Sequence, residues 1–283
     1  MCAIVYQSIG IVGCGLIGGS LALSIHKQFP NITLYAIDPK ANSIKSHPQA
    51  TCFKLISDSI TDLPTDLDII FIATPINDTL KTIKILSNHT QKSTVLTDVT
   101  STKETLVNTI EELSLKRPYI SGHPMAGKET TGFESASETL FNEAPYIIIE
   151  NNHQEQEEIL TGFLTEMSCR IITQTAQKHD ELIALVSHLP YLTATALIQV
   201  ASKNNSHETI QSIYGPGFKD STRLAASSPQ WGTDICTHNK ESITAALDSM
   251  IETLKQLKSL IQTSETQTLS NILNRNKEKK DKL

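Results

Sequence analysis

The sequence lacks the features of disulfide-stabilised, nucleic-acid-binding and membrane-spanning proteins. The five cysteines are scattered, odd in number and without C-x-x-C spacing, so we expect free thiols in the reducing cytoplasm. The net charge of −6 and the pI near 5.8 leave no positive footprint for nucleic acid. An anionic small molecule would need locally placed cations. No apolar run approaches membrane-spanning length, so we expect no membrane segment.

No internal repeat is visible, and a content of 39% hydrophobic and 19% charged residues is that of an ordinary soluble protein. A chain of 283 residues is long enough for two domains, each with its own core. Strand-like and helix-like segments alternate up to about Gln174, and beyond it every strong signal is helical. We therefore predict an α/β fold, with a Rossmann-type doubly wound sheet over residues 1–174 and an all-helical domain over residues 175–283.

A glycine motif organises the predicted first domain. Gly13, Gly15 and Gly18 fill the spacing G-x-G-x-x-G, with a strand before them and a helix after them. Gly13 permits a tight turn, Gly15 lets the backbone approach a pyrophosphate, and Gly18 lets the helix pack on the strand. The helix N-terminus, which includes Leu16 and Ile17, offers free N–H groups to the phosphates. The motif predicts a dinucleotide site.

An acidic residue defines the expected cofactor. Asp38 ends the second predicted strand, about twenty residues after Gly18, where a carboxylate bonds the ribose 2′-hydroxyl. Because an acid there repels a 2′-phosphate, we predict NAD over NADP. Thr74 and Pro75 end another apolar strand and should face the same crevice. The alternative is a glycine-rich turn that binds no ligand. It does not explain why the turn, the glycine spacing and the acidic residue Asp38 occur together.

The helical half carries three expectations about packing. Pro190 should kink its first helix just after Leu189. A second apolar stripe, from Ile243 to Leu260, suits either a core or a homodimer interface. Residues 264–283 are polar, end in a lysine-rich run, and are expected to be a frayed tail. The stripe of the first helix is predicted to be buried, and it comprises Leu182, Val186, Leu189, Leu197 and Val200.

Four side chains are candidates for chemistry. Ser101 can cap the helix that follows it. His123 lies in a polar, glycine-containing loop after a strand, where a functional role is favoured over that of a surface residue. His188, beside the predicted kink, is equally compatible with a site and with a helix surface. Arg223 is either an exposed charge or a carboxylate clamp, and Asp220 lies at the right spacing to hold it.

Taken together, these motifs resemble the prephenate/arogenate dehydrogenase family of tyrosine biosynthesis. The likeness runs in order from about Ile9 to Asn239. Any single motif is modestly specific, whereas the ordered set is strong. It comprises the glycine motif with Asp38 and the segments 98–103, 122–127, 179–180, 187–190 and 217–225.

The resemblance implies NAD-dependent oxidative decarboxylation of prephenate to 4-hydroxyphenylpyruvate. His123 would accept a hydrogen bond from the 4-hydroxyl and draw off its proton, for which a neutral imidazole is needed. Ser101 would hold the same hydroxyl, and Arg223 would bind a carboxylate. No metal is implied. The remaining expected substrate-site residues are His188 and Lys128, with Glu129 and Asp220 as a charged gate or as holders of Arg223.

Some positions leave the substrate open. Lys219 and Tyr191 stand where the family often has arginine and histidine, and both positions bear on the substrate side chain. Arogenate, which would give tyrosine directly, is therefore an alternative to prephenate. A β-hydroxyacid dehydrogenase would need a catalytic lysine within residues 179–201, which contain none. A non-catalytic NAD-binding sensor would have little reason to retain His123 and Ser101 together.

Overall fold

A computed structural model describes residues 6–282. Within these residues, eight strands form one sheet in the order β3-β2-β1-β4-β5-β6-β7-β8. Neighbouring strands are parallel except for β6 and β7, which are antiparallel. The strands are β1 Ser8–Val12, β2 Thr33–Ile37, β3 Phe53–Ser57, β4 Ile69–Ile72, β5 Val95–Asp98, β6 Tyr119–Pro124, β7 Pro145–Ile149 and β8 Arg170–Gln174.

Helices cover the sheet and then form the C-terminal half. Short 3₁₀ turns occupy Pro48–Cys52, Ile60–Asp62, Phe133–Ser135 and Arg223–Ala226, and a π-turn occupies Ala184–His188. The α-helices are α1 Leu16–Gln28, α2 Ala41–Lys45, α3 Ile76–His89, α4 Glu104–Leu113, α5 Gln154–Glu166, α6 Ala176–Ile183, α7 Leu189–Ser202, α8 His207–Ile213, α9 Pro216–Thr222, α10 Pro229–His238, α11 Lys240–Gln262 and α12 Thr266–Lys280.

The sequence pattern explains why β4 lies at the centre of the sheet. All four of its residues are apolar and fully buried, as expected for a parallel strand covered on both faces. Separate apolar clusters pack on the two faces, around Phe71 on one and Ile70 on the other. The predicted α/β class, with a doubly wound sheet followed by helices, is confirmed.

The strand order places a crevice at one edge of the sheet. The chain winds outward from β1 to β2 and β3 on one side, and to β4, β5 and β6 on the other. Between β1 and β4 the connections therefore diverge, which leaves a gap outside their carboxyl ends. Gly13 follows β1 and Thr74 lies two residues after the end of β4, so both predicted cofactor elements meet at this gap.

The predicted buried stripe of the first C-terminal helix is wrong for the single chain. Val186 is 65% exposed and Val200 is 74% exposed, and Leu182 and Leu197 are also exposed. The physical reason is that α6, the π-turn and α7 run on as one 27-residue helix, and the rest of the described chain leaves part of its apolar side uncovered. By length and composition this helix is apolar enough to cross a membrane, so the expectation that no run approaches that length is also wrong.

Two further expectations, on Pro190 and on the C-terminal tail, need correction. The distortion caused by Pro190 lies before Leu189 rather than after it, as a π-turn in which the Leu189 N–H bonds the Ala184 carbonyl. Helix α2, after Asp38, is short and ends at Lys45, because Pro48 cannot continue it and opens a 3₁₀ turn instead.

The tail beyond Ser264 is helical rather than frayed, since α12 runs from Thr266 to Lys280. Leu269 and Ile272, three residues apart, are its half-buried positions, and α12 packs against α11. A modest apolar face and good helix-forming residues are enough to order it.

The free-thiol expectation is confirmed for the four cysteines that the structure describes, Cys14, Cys52, Cys169 and Cys236. Cys2 lies outside the described residues.

Candidate active site

The turn between β1 and α1 brings three backbone segments into close contact. Gly13 has a φ of +90°, and a Cβ on it would lie 2.5 Å from the carbonyl oxygen of Ala73, just after β4. A Cβ on Gly18 would lie 1.9 Å from the carbonyl oxygen of Gly13. Any other residue at either position would push the turn away from the helix or the strand. Glycine is therefore required for the packing of this turn.

The N-terminus of α1 is open and uncapped. Gly15 is its N-cap, no side chain accepts from its first turn, and no acidic residue lies in that turn. The N–H groups of a first helical turn have no partner within the helix, which here concerns Leu16 and Ile17. A Cβ on Gly15 would meet nothing within 4 Å. An anion such as a pyrophosphate fits here.

Asp38 joins the end of β2 to this turn. One carboxylate oxygen accepts the N–H of Cys14 at 2.8 Å, and the other accepts the N–H of Lys40 at 2.7 Å. The carboxylate is therefore held beside the glycine turn, only half-buried, with lone pairs left for a ribose hydroxyl.

A cleft of about 680 Å³ begins at this turn and reaches the helical domain. Thr74, Pro75 and Ser101 line it from the sheet domain, and Trp231 lines it from the helical domain. The lining comes from both domains and also includes Gly13, Gly15, Ile17, Asp38, Lys81, Thr131, Gln230 and Asp234. It has the size and the mixed polarity of a cofactor site.

Ser101 does not cap a helix, contrary to the sequence prediction. Helix α4 begins at Glu104, and the carboxylate of Asp180 accepts the N–H groups of Lys103 and Glu104, each at 2.9 Å. The hydroxyl oxygen of Ser101 instead lies 3.2 Å from the indole nitrogen of Trp231, which donates to it. Its own O–H therefore remains free to donate to another acceptor.

His123 lies in strand β6 rather than in a loop, because β6 continues to Pro124 and pairs there with β7. Its position depends on Gly122, since a Cβ on Gly122 would lie 2.6 Å from the ring of the buried Tyr146. His123 is 8% exposed. Its Nδ1 lies 2.8 Å from Nε2 of His179, on α6.

Burial keeps His123 neutral. It lowers the pKa of His123 well below the ordinary value of 6.5, and positive charge on His179, Lys103 or His188 lowers it further. His179 is itself buried, which lowers its pKa despite the contact of its Nδ1 with Asp180 at 2.7 Å. A neutral imidazole is the form that accepts a proton.

A buried ion pair supports the loop that carries Ser101. The Lys103 ammonium lies 2.5 Å from Asp98, and both side chains are fully buried. Tyr119 and Ser121 donate to the other oxygen of Asp98 at 2.5 and 2.7 Å. Burial opposes ionisation of Asp98, but these partners outweigh it and hold its pKa below the ordinary value. A buried pair with this many hydrogen bonds holds its loop in one geometry.

His188 is buried in the π-turn and is not a surface residue. Its Nδ1 lies 3.3 Å from the side-chain nitrogen of Asn239, and its Nε2 has no partner among the described residues. Burial lowers its pKa to about 4. Its ring also packs on Trp231, with the centroids 6.1 Å apart. A neutral imidazole with an unpaired nitrogen is suited to meet a ligand.

The charged residues expected to bind the substrate lie further out. Arg223 forms an ion pair with Glu129, although its side chain is 62% exposed. Lys128 is exposed and bonds the carbonyl of Ser135 at 2.9 Å. Asp220 is exposed on α9 and does not form the expected pair with Arg223, which pairs with Glu129 instead.

The structure thus brings most of the predicted cofactor residues and Ser101 to one cleft. The predicted site residues that are not on its lining are Leu16, Gly18, His123, His188, Arg223, Lys128, Glu129 and Asp220. Sequence reasoning assigned no role to His179, Asp180, Trp231 or Asn239. The adjacent His-Asp pair and the lone tryptophan were the available signals. Among residues 6–282 no cluster of side chains is suited to a metal ion.

Comparison with known proteins gives two family matches that meet near the end of the sheet. Residues 21–173 match the family model described as prephenate dehydrogenase, nucleotide-binding domain. Residues 175–275 match the model described as prephenate dehydrogenase, dimerization domain.

Individual relatives agree with these matches. A prephenate dehydrogenase of Lactococcus lactis is 30% identical over 278 residues, which are 96% of this chain and 76% of the relative. The crystal structure of Aquifex aeolicus prephenate dehydrogenase with hydroxyphenyl propionate and NAD+ is similar with a TM-score of 0.91, at 26% identity, and covers 98% of each chain. Synechocystis arogenate dehydrogenase is similar with a TM-score of 0.81, at 29% identity, and covers 97% of this chain and 99% of its own.

Proposed function

The chain belongs to the prephenate dehydrogenase family, and we propose that it oxidises and decarboxylates prephenate to 4-hydroxyphenylpyruvate, a step of tyrosine biosynthesis, with NAD as cofactor. One observation supports this proposal above the others. Ser101, which follows β5, lines the cleft that contains the glycine turn and Asp38, and a buried neutral histidine, His123, lies near the end of the adjacent strand β6.

The residues of the cleft fit NAD. The first-turn N–H groups at Gly15, Leu16, Ile17 and Gly18 would hold the pyrophosphate, and Gly13 shapes the turn beneath it. Asp38 would accept from the ribose hydroxyls, and Thr74 and Pro75 would flank the cofactor on its way to Ser101. When bound, NAD supplies a hydride acceptor.

His123 and Ser101 would share the substrate hydroxyl. In the proposed site the hydroxyl donates to His123, and Ser101 donates to the hydroxyl oxygen because its own oxygen already accepts from Trp231. His123 takes the hydroxyl proton as the hydride leaves the same carbon. Loss of the ring carboxylate as CO₂ leaves its electron pair in the ring, and the phenolate oxygen recovers the proton from His123. Alignment of these groups is the main contribution of the protein.

Cations near the cleft would bind the anionic substrate. Arg223 is the proposed carboxylate clamp, and Glu129, its partner in the structure, would exchange with the substrate carboxylate as a gate. Lys128 and Asp220 would flank this entrance, and the unpaired Nε2 of His188 would face the bound molecule. A guanidinium binds a carboxylate with two parallel hydrogen bonds.

Arogenate is the second candidate substrate, because Synechocystis arogenate dehydrogenase is similar over nearly the whole chain. The deciding experiment follows NADH absorbance with prephenate and arogenate in parallel. Turnover of either supports the reaction class, and the ratio of the two kcat/KM values assigns the substrate. If neither is oxidised while NAD binds, the proposal fails, and β-hydroxyacids would be tested before a non-catalytic sensor is accepted.

We also propose that the protein is a cytoplasmic homodimer. Residues 175–275 match a dimerization domain, and the exposed apolar side chains of this region include Val186, Val200 and Ile213. A membrane is a poor alternative partner for these apolar side chains, because His179 and Asp180 of the same long helix form hydrogen bonds with the first domain. Light scattering should give twice the chain mass of 31.1 kDa, and Val186→Glu should shift it towards the monomer. A monomeric parent would contradict this.

A further inference from the structure

We propose that His179 and Asp180 are positioning residues that fix the tautomer of His123, so that its Nε2 is the bare nitrogen offered to the substrate. The tautomer assignment does not depend on the proposed function, whereas its consequence for catalysis does. It assigns a role to a contact between the two domains, since His123 lies on β6 and the other two residues lie on α6.

The first step concerns Asp180, which is surrounded by donors. Its Oδ1 accepts the N–H of Lys103 at 2.9 Å and lies 2.7 Å from Nδ1 of His179. Its Oδ2 accepts the N–H of Glu104 at 2.9 Å. Two of these donors are backbone groups that cannot reverse their role. A carboxylate can only accept, so Nδ1 of His179 carries the proton in this contact.

The second step is that the tautomer of His179 determines the tautomer of His123. With its proton on Nδ1, a neutral His179 has a bare Nε2, which can only accept. That nitrogen lies 2.8 Å from Nδ1 of His123, so Nδ1 of His123 must carry a proton and donate it. A neutral His123 then has a bare Nε2. With His179 neutral, the direction of both bonds follows from the carboxylate of Asp180.

The third step is that His179 stays neutral, because a protonated His179 would reverse the arrangement. Its Nε2 would then donate, Nδ1 of His123 would be bare, and Nε2 of His123 would carry the proton and lose its use as a base. Burial disfavours the charged form of His179, and the ammonium of Lys103 adds to this, while Asp180 and Asp98 act in the opposite sense. His188 is the other titratable group that faces His123.

The serine-protease triad uses the same logic, in which a buried aspartate selects the tautomer of the catalytic histidine. Here a second imidazole is placed between the carboxylate and the base. Asp180 also accepts the N–H groups of Lys103 and Glu104 at the start of α4. The same carboxylate therefore selects the tautomer and holds the two domains together next to the loop that carries Ser101.

Two substitutions of His179 separate positioning from a merely structural role. His179→Phe retains a ring but removes both nitrogens, and we expect kcat to fall by about 100-fold or more with the substrate KM nearly unchanged. His179→Gln retains an acceptor for His123 and a donor for Asp180, and we expect it to recover most of the lost kcat.

Lys178→Ala is the matched control. Lys178 is the exposed neighbour on α6, paired with Glu181 at the surface, and its loss should leave kcat and the pH profile unchanged. Thermal unfolding and NAD binding of each variant report whether the fold is intact. If His179→Phe fails to fold, the spectroscopic test below decides. Full activity in His179→Phe, or no recovery of kcat in His179→Gln, would overturn the inference.

A spectroscopic test needs no turnover. In the parent labelled with ¹⁵N-histidine, the His123 signals, assigned through loss in His123→Asn, should show a proton on Nδ1 and a bare Nε2. The reverse pattern would refute the proposal even in an active enzyme. If neither prephenate nor arogenate is oxidised but the expected pattern appears, the proposed function fails and the tautomer assignment stands.

Discussion

His123 is neutral because burial makes its protonated form costly, and this property has a direct kinetic consequence. The His123→Asn variant keeps a polar side chain of similar reach but has no proton-accepting nitrogen. We expect it to bind NAD like the parent and to lose about 100- to 10,000-fold in kcat, the usual contribution of a general base. Steady-state assays with calorimetry of NAD binding test this. Nearly parental turnover would mean that His123 is not the base.

The pH dependence of the parent has a defined sign. Since the pKa of His123 lies well below 6.5, the base stays unprotonated as the pH falls through 6.5, and kcat/KM should decline only at lower pH. Charge on His179, Lys103 and His188, the groups that face it, would push the decline lower still. An acid limb centred at or above pH 6.5 would contradict this environment.

Gly15 separates cofactor binding from folding. A Cβ there meets no protein atom within 4 Å, so Gly15→Ala should melt at nearly the parental temperature. If the pyrophosphate lies against this backbone, the same methyl group should weaken NAD binding by about 10-fold or more. Gly162→Ala is the matched control, because it also meets nothing within 4 Å and lies on α5, away from the cleft. Equal NAD affinity in the two variants would argue against a pyrophosphate at Gly15.

Asp38 makes a similar residue-scale prediction about the nucleotide. A fixed carboxylate beside the ribose repels a 2′-phosphate, so kcat/KM with NAD should exceed that with NADP by about 10-fold or more. Asp38→Asn should narrow the ratio, since it removes the charge and keeps the shape. Comparable kcat/KM with both nucleotides in the parent would contradict the role of Asp38.

At the scale of elements, α4 depends on a cap from another domain. Asp180 supplies the acceptors for its first N–H groups, which a local serine had been expected to satisfy. Asp180→Ala leaves these donors and the Nδ1–H of His179 without partners, so we expect the free energy of unfolding to fall by about 1–3 kcal/mol.

Thr175→Ala is the appropriate comparison for this prediction. Thr175 caps α6 locally by accepting the N–H of Lys178, and its loss should cost about 1 kcal/mol with little effect on activity. Urea unfolding of both variants measures the difference. An Asp180→Ala variant as stable as the parent would show that water replaces the carboxylate without loss.

The whole molecule should lose stability on acidification because buried histidines resist protonation. Burial lowers the pKa of His123, His179 and His188 below 6.5, and that of His188 to about 4. Between the folded and unfolded pKa values the unfolded chain binds more protons, so stability present above pH 6.5 is lost as the pH falls. Each such histidine costs about 1.4 kcal/mol per pH unit.

Urea unfolding at several pH values between 7.5 and 4.5 measures this slope. His188→Asn should make the stability less dependent on pH between 6.5 and about 4, because one buried imidazole is removed. His26→Gln, on the exposed end of α1, should retain the parental slope. A parent whose stability is flat over this range would show that the buried histidines are readily protonated.

Much of the fold was predictable because its determinants are local. The alternation of apolar strands and amphipathic helices needs only short windows of sequence, and it correctly indicated the doubly wound sheet and the helical half. The glycine turn and Asp38 lie within one βαβ unit, so their spacing alone placed them together. The domain boundary near Gln174 stays a prediction, as do the roles of the individual site residues.

The sequence by itself therefore determined the fold class, the family and the cofactor turn, because each depends on short motifs and local patterns along the chain. Only the tertiary structure decided which side chains meet across the domains. His123 reaches His179 over 56 positions of sequence and Ser101 reaches Trp231 over 130, and such contacts leave no periodic signal. Burial was likewise decided in three dimensions: it enclosed His188, which periodicity could not place, and left Val186 exposed, because packing rather than apolar spacing determines which face of a helix is covered.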